Sequence, residues 1–359
     1  MHCRMSIKEV IKSLKDKFAR RYYYGLFMNH NTRISTNSIP IYSFRADQLK
    51  LITISTNNII ETPDGFFRIV RRNSFRRKFD DETKRIFDVL KPLNIGMPER
   101  ELERFVRREY KNRDYCFPFF RYNCFSANRS LAVLTIASYL GIDRLLTHVE
   151  LCRIIIDGRI TLEGTMASKA TGVAYGQIKS DISHRMTPQL LQSLTNLNLL
   201  DVICFEKDHG ANNYMNIIDE NGRVNSICSF DNDSPSCFSI SMSIDFKFTA
   251  DGRPFVTPNG LCARPYLDKD VVERLMRIDL ESLRKDLSCY LNVIQLYCCM
   301  RRIKQLQVAI QSSVEKGLTK LLNPNEWTQK MVDDEVKGIN GRTYMHVLVD
   351  WTPFHKKEE

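Results

Sequence analysis

The residues best suited to chemistry fall in one stretch, Leu200 to Asp233, which reads LDVICFEKDHGANNYMNIIDENGRVNSICSFDND. Asp208 and Asn213 stand five positions apart in a polar loop that follows an apolar run. Two strand-like segments, MNIID and VNSICSF, then flank an Asn221-Gly222 pair, and Asp231-Asn232-Asp233 closes the stretch. Asn-Gly between such segments predicts a β-hairpin. A hairpin returns the chain to its start, so Asn213 before it and Asp231 after it would meet. Phosphoryl transfer needs such a set. One carboxylate must orient or deprotonate an attacking hydroxyl. An amide oxygen and a second carboxylate must hold Mg²⁺ against nucleotide phosphates. Magnesium is a hard ion that takes a few carboxylates together with waters and phosphate oxygens. Asp233 would reach a second metal or cap a turn. His209 reads either as a loop histidine bonded to backbone or as an accessory base.

The elements around this stretch must position it. Pro188–Cys204 (PQLLQSLTNLNLLDVIC) predicts a buried helix directly before the loop. Asn128–Leu140 predicts an apolar helix stopped by Gly141. Thr147–Gly164 predicts two strands about an Asp157-Gly158 turn. Residues 30–70 carry three short β-type runs, IPIYSF, LKLITIS and FFRIV. Ser6–Phe18, Asp80–Leu90 and Pro98–Tyr110 have helical spacing, and from Asp268 to about Gly317 the chain reads as mainly helical. The order predicts an α+β fold in two lobes.

The pattern Asp-x-x-x-x-Asn, a hairpin and then Asp-x-Asp resembles the catalytic and metal-binding loops of atypical kinases. The branch in question includes the phosphatidylinositol 3/4-kinases, actin-fragmin kinase and the HipA-like kinases. The resemblance spans roughly residues 115–315 and is specific only within 200–233. It implies a bilobal kinase-like fold, with a smaller β-rich N-terminal lobe and a larger, mainly helical C-terminal lobe. It implies ATP and Mg²⁺ (or Mn²⁺) as cofactors. Asp208 takes the place of the catalytic aspartate. Asn213 takes that of the metal-binding asparagine, with Asn212 as the alternative if the loop is one residue shorter. Asp231 takes that of the metal-binding aspartate. His209-Gly210 stands where Arg-His is common in the family. Phe117–Arg121 resembles the strand that carries the phosphate-binding lysine, so Arg121 occupies the lysine position. Arginine forks where lysine is a point charge, so the exchange is not conservative. The glutamate partner of that lysine has no evident counterpart. Glu163–Gly172 resembles the hinge, where backbone near Met166 and Ala167 would meet adenine. The implied division is a basic region at 1–115, the rest of the smaller lobe at 116–168, a catalytic lobe at 169–320 and a tail at 321–359.

The chain has 359 residues and a net charge of +11. Residues 1–115 hold 25 Lys/Arg against 14 Asp/Glu, whereas 116–359 hold 28 of each. The excess therefore belongs to the first third. Glutamates interleave with the arginines of Arg100–Arg113, but Arg68–Lys78 is uncompensated and is the better anion-binding segment. A docking surface for an acidic protein substrate or partner is favoured over nucleic acid, which would bind with steep salt dependence. Eleven scattered cysteines, without paired metal-ligand spacing, predict reduced thiols in a cytoplasmic protein. The opening residues lack the apolar core of a signal peptide, and no run reaches membrane-spanning length. The expectation is an ATP- and Mg²⁺-dependent phosphotransferase acting on a hydroxyl. Its alternative is a pseudokinase or binding module that docks an acidic partner through the basic first third.

Overall fold

The computed structural model describes residues 39–54, 57–69, 126–158, 160–178, 182–207, 209–230, 232, 237–238, 251–258, 260–291, 293–340, 343 and 345. The expected helices Ser6–Phe18, Asp80–Leu90 and Pro98–Tyr110 lie outside them, as does the Phe117–Arg121 segment. The chain divides into two compact units, residues 1–127 with 149–168, and residues 128–148 with 169–359.

In the first unit, six strands form one sheet in the order β1-β5-β6-β4-β3-β2. They are β1 (Ile41–Phe44), β2 (Lys50–Ile54), β3 (Asn57–Glu61), β4 (Gly65–Ile69), β5 (Val149–Ile156) and β6 (Ile160–Ser168). The three β-type runs expected between 30 and 70 supply β1, β2 and β4. Asp157 and Gly158 turn β5 into β6 with φ of 50° and 66°, the left-handed pair that a tight hairpin requires. On β5 every second residue, Cys152, Ile154 and Ile156, is buried. β4 and β6 approach closely at Gly164, where a Cβ would lie 2.2 Å from the carbonyl oxygen of Arg68 and 2.5 Å from the Phe67 ring. A side chain at that position would have to push the two strands apart.

The second unit is built around a helix that is buried on almost every face. Helix α1 (Ser126–Leu140) precedes β5 in the chain, and Gly141 ends it with φ of 71°. After β7 (Val173–Ala174) and the single turn α2 (Tyr175–Ile178) comes α3 (Pro188–Cys204). Thr187 caps α3 by accepting from Leu190 N, and Pro188 fills the first turn where no amide donor is needed. Leu190, Leu191 and every residue from Ser193 to Cys204 are buried, which marks α3 as the centre of the unit. Strands β8 (Tyr214–Ile218) and β9 (Val224–Ser229) form the expected hairpin, with β7 on its outer edge. The hairpin is tied to the N-terminal half of α3. Thr187 Oγ1 donates to Val224 O at 2.8 Å, and Ser193 Oγ lies 3.1 Å from Ser226 Oγ.

Beyond it, β10 (Tyr266–Asp268) pairs in parallel with β11 (Lys320–Leu322). Helices α4 (Lys269–Arg277), α5 (Leu280–Leu287), α6 (Val293–Glu315) and α7 (Gln329–Val336) complete the unit. Asp268 joins them to α3, since its Oδ2 accepts from Gln192 Nε2 at 2.6 Å and Asn196 Nδ2 at 3.1 Å while its Oδ1 caps α4.

Two divisions differ from those expected. Residues 128–148 group with the second unit, not with the smaller lobe. The described part of 321–359 sends several side chains into the core. Trp327 and Val332 are buried, and Glu335 is fully buried against Arg264 (Nε to Oε2, 3.0 Å) and Tyr266 (hydroxyl to Oε1, 3.0 Å). The physical reason is that burying Arg264 demands a counter-charge, and α7 delivers it. The architecture mixes helices and strands in an α+β fold, and no helix among the described residues is long and apolar enough to cross a membrane.

Removing one partner of a buried ion pair leaves the other charge uncompensated and costs about 3–5 kcal/mol. Glu335→Ala should therefore lower the unfolding free energy by about that amount in urea denaturation. A loss below about 1 kcal/mol would show that the pair is not held as described.

Candidate functional site

The loop begins where α3 stops. Phe205 adopts the left-handed conformation (φ 60°), and Glu206 N closes back on Asp201 O at 3.0 Å. A non-glycine residue pays for that geometry, and neighbouring contacts hold it. Phe238 N donates to Cys204 O at 2.7 Å, and Arg302 Nε donates to Ile203 O at 2.8 Å. These donors satisfy carbonyls that a helix end would otherwise leave orphaned, and Arg302 sets a cation where the helix dipole favours one. The Phe205 ring lies between Lys207 Nζ at 4.8 Å and the Arg302 guanidinium at 5.5 Å. Buried Glu206 accepts from its neighbour's amide, Lys207 N, at 2.7 Å and from the Cys237 thiol at 2.8 Å.

His209 is the hub. Its Nδ1 bonds the carboxylate of Asp201, one turn back inside α3. Its Nε2 lies 2.6 Å from Asn232 Oδ1 and 3.1 Å from Ser229 Oγ. Ser229 Oγ donates to the same Asn232 oxygen at 2.8 Å. Both ring nitrogens thus face oxygen acceptors, which suits the doubly protonated ring. Burial opposes that charge. The Asp201 carboxylate, with help from Glu206 and from the bond to Asn232, outweighs burial and pushes the His209 pKa up to about 9. His209 is 2% exposed, and Asp201 and Ser229 are wholly buried.

The loop closes onto the hairpin through backbone. Gly210 to Asn213 make one tight turn, with Asn213 N donating to Gly210 O at 2.9 Å. Tyr214 pairs with Ser229, and Phe230 N donates to Asn213 O at 2.9 Å. The far strand of the hairpin therefore returns to the asparagine that precedes the near one. The outer edge of β9 is also occupied, since Thr147 N donates to Ser229 O at 2.8 Å.

Asn213 is half-buried and Asn212 exposed, both at the mouth of the hairpin. Asp208, Asp231, Asp233 and Arg121 lie outside the described residues. Asp208 is covalently joined to His209, and Asp231 and Asp233 flank Asn232. Met166 and Ala167 sit in β6, an inner strand paired with β4 on one side and β5 on the other. The ladder engages the strand on both sides at these residues. Pairing ends only at Ser168. His209, expected as a backbone-bonded loop residue or accessory base, bonds the side chains of Asp201 and Asn232 and is closed off from solvent.

Sequence reasoning missed Asp201, Ser229 and Asn232. The one signal was Asp201 itself, an acidic residue inside the apolar run LLDVIC, where a carboxylate is tolerated only with a partner. It also passed over Arg68 as an individual residue. Arg68 is half-buried on β4, opposite Thr165 of β6, and is a described cation of the basic first third.

Asp201, His209 and Ser229 have the connectivity of a hydrolytic triad. They lack its access. All three are buried, and the serine hydroxyl is spent on Asn232. Burial also raises the thiol pKa values of Cys204, Cys237 and Cys299, which leaves them poor nucleophiles. Among the described residues no group of three or more His, Cys, Asp or Glu side chains could hold a metal ion. No protein family profile matches the chain, and no curated protein matches it.

The His209 pKa sets a sign for stability against pH. A folded-state pKa raised from 6.5 to about 9 stabilises fully below pH 6.5, and the contribution is lost as pH rises through 9. Urea midpoints should fall between pH 6.5 and 8, by no more than about 2 kcal/mol of unfolding free energy. In His209→Gln the fall over that range should be largely gone. The thiols of the unfolded chain begin to ionise only above about pH 8, so this window belongs to His209. An equally steep fall in the variant would contradict the assignment.

Proposed function

We propose that the chain is an ATP- and Mg²⁺-dependent phosphotransferase with a bilobal kinase-like fold, acting on a hydroxyl of a protein or other acceptor. The observation that carries the reading is the backbone bond from Phe230 to Asn213. It supports a site in which Asn213 and the next residue of the chain, Asp231, serve one ligand. The loop residues offer hard oxygen donors of the kind Mg²⁺ takes, namely the amide of half-exposed Asn213 and the carboxylates of Asp231 and Asp233. When bound there, the ion would neutralise charge on the nucleotide phosphates.

The chain's own residues do the rest. Asp208 accepts the proton of the acceptor hydroxyl as that oxygen attacks the terminal phosphorus and the bond from phosphorus to the departing ADP oxygen breaks. Asn213 and Asp231 would hold the ion that neutralises the phosphates. Catalysis is then mainly positioning and electrostatics.

The second reading, a pseudokinase or binding module, is favoured by one observation. The Met166 and Ala167 backbone is committed to the sheet, which leaves the adenine contact to other residues. ATP with Mg²⁺ separates the two, because a ligand stabilises by RT ln(1 + [L]/Kd). The phosphotransferase reading expects a clear rise in Tm at millimolar Mg-ATP and transfer of labelled γ-phosphate. Asp208→Ala and Asp231→Ala should each cut transfer by about 1,000-fold or more while the fold stays intact. Activity retained in both variants would sink the assignment.

A further inference from the structure

We infer that His209 is a positioning residue for the proposed reaction, a buried cationic latch that holds the loop bearing Asp208 against the hairpin end bearing Asp231 and Asp233. The inference rests on the phosphotransferase reading but goes beyond it, since nothing in that reading assigns a role to His209 or Asn232.

The geometry gives the argument. One face of the imidazole is anchored in the most buried helix of its unit, through Asp201. The other face grips Asn232 Oδ1 at 2.6 Å. Asn232 is in turn fixed to β9, because Ser229 Oγ donates to Oδ1 at 2.8 Å and Asn232 Nδ2 donates to Ser229 O at 3.4 Å. The chain α3, His209, Asn232 and β9 is therefore continuous. Consecutive Cα atoms lie about 3.8 Å apart. Each proposed acidic residue is thus a single peptide unit from a latch residue, with Asp208 next to His209 and Asp231 and Asp233 either side of Asn232. A buried imidazole that donates from both nitrogens is a poor general base, and it reaches no solvent. Its use is to set a distance. Catalytic groups must be held to within about 0.5 Å of their productive places.

The latch makes a prediction that simple loss of a core residue does not. His209 and Asn232 act through one bond, so their effects on turnover should not add. The test is a double-mutant cycle of His209→Gln, Asn232→Ala and the pair, on the full chain. Phosphoryl transfer from Mg-ATP is measured, with near-UV circular dichroism and Tm as the check on folding. Each single variant should lower kcat about 30-fold or more, the pair should be no worse than the poorer single, and KM for ATP should stay within about threefold. Glutamine keeps one donor, so His209→Gln should be more active than His209→Ala.

Should His209→Gln fail to fold, Asn232→Ala against wild type still decides, because it leaves the Asp201–His209 pair in place. Full kcat in folded Asn232→Ala, or additive losses across the cycle, would overturn the latch while leaving the phosphotransferase reading intact. No Mg-ATP turnover by wild type would overturn both.

Discussion

The interaction on which the loop depends is the buried bond between Asp201 and His209. Asp201 places a carboxylate inside a helix that is buried almost throughout. An unpaired charge there would cost several kcal/mol, so the histidine is required to fold back against the helix that precedes it. That requirement fixes the path of residues 205–209, and the left-handed turn at Phe205 is its visible consequence. Once His209 is in place, its second nitrogen must also find an acceptor, and Asn232 supplies one. A single charge pair thus dictates both where the loop lies and where the hairpin ends.

The hairpin adds backbone precision to what the side chains begin. Its register, with Tyr214 against Ser229, delivers Phe230 to Asn213. The same strand is held from behind by α3 and at its outer edge by Thr147. The proposed site would draw its donors from the two ends of one hairpin, a single stretch of chain.

What was legible in the sequence follows this line. Apolar runs and turn pairs gave α3, the β8–β9 hairpin and the β5–β6 hairpin, because helix burial and left-handed turn residues are local signals. Asp157-Gly158 and Asn221-Gly222 each stand where the chain reverses. What was not legible is tertiary. The bond from His209 to Asn232 spans 23 residues, and that from Arg264 to Glu335 spans 71. No spacing rule announces either. Chain continuity likewise suggested that 128–148 should group with its flanking strands, whereas its packing groups it with α3 and the later helices. That β6 is paired along both edges at Met166 and Ala167 was likewise not legible, since a strand's sequence does not reveal its neighbours.

The central claim is that residues 208–213 and 231–233 converge on one metal–nucleotide. Iron-directed cleavage tests it most directly, with Fe²⁺ in place of Mg²⁺ and ascorbate and peroxide cutting backbone near the bound ion. The account predicts that ATP induces cuts, mapped by mass spectrometry, in both segments of the wild-type chain and that excess Mg²⁺ suppresses them together. Cuts confined to one segment, or a pattern indifferent to ATP, would contradict it.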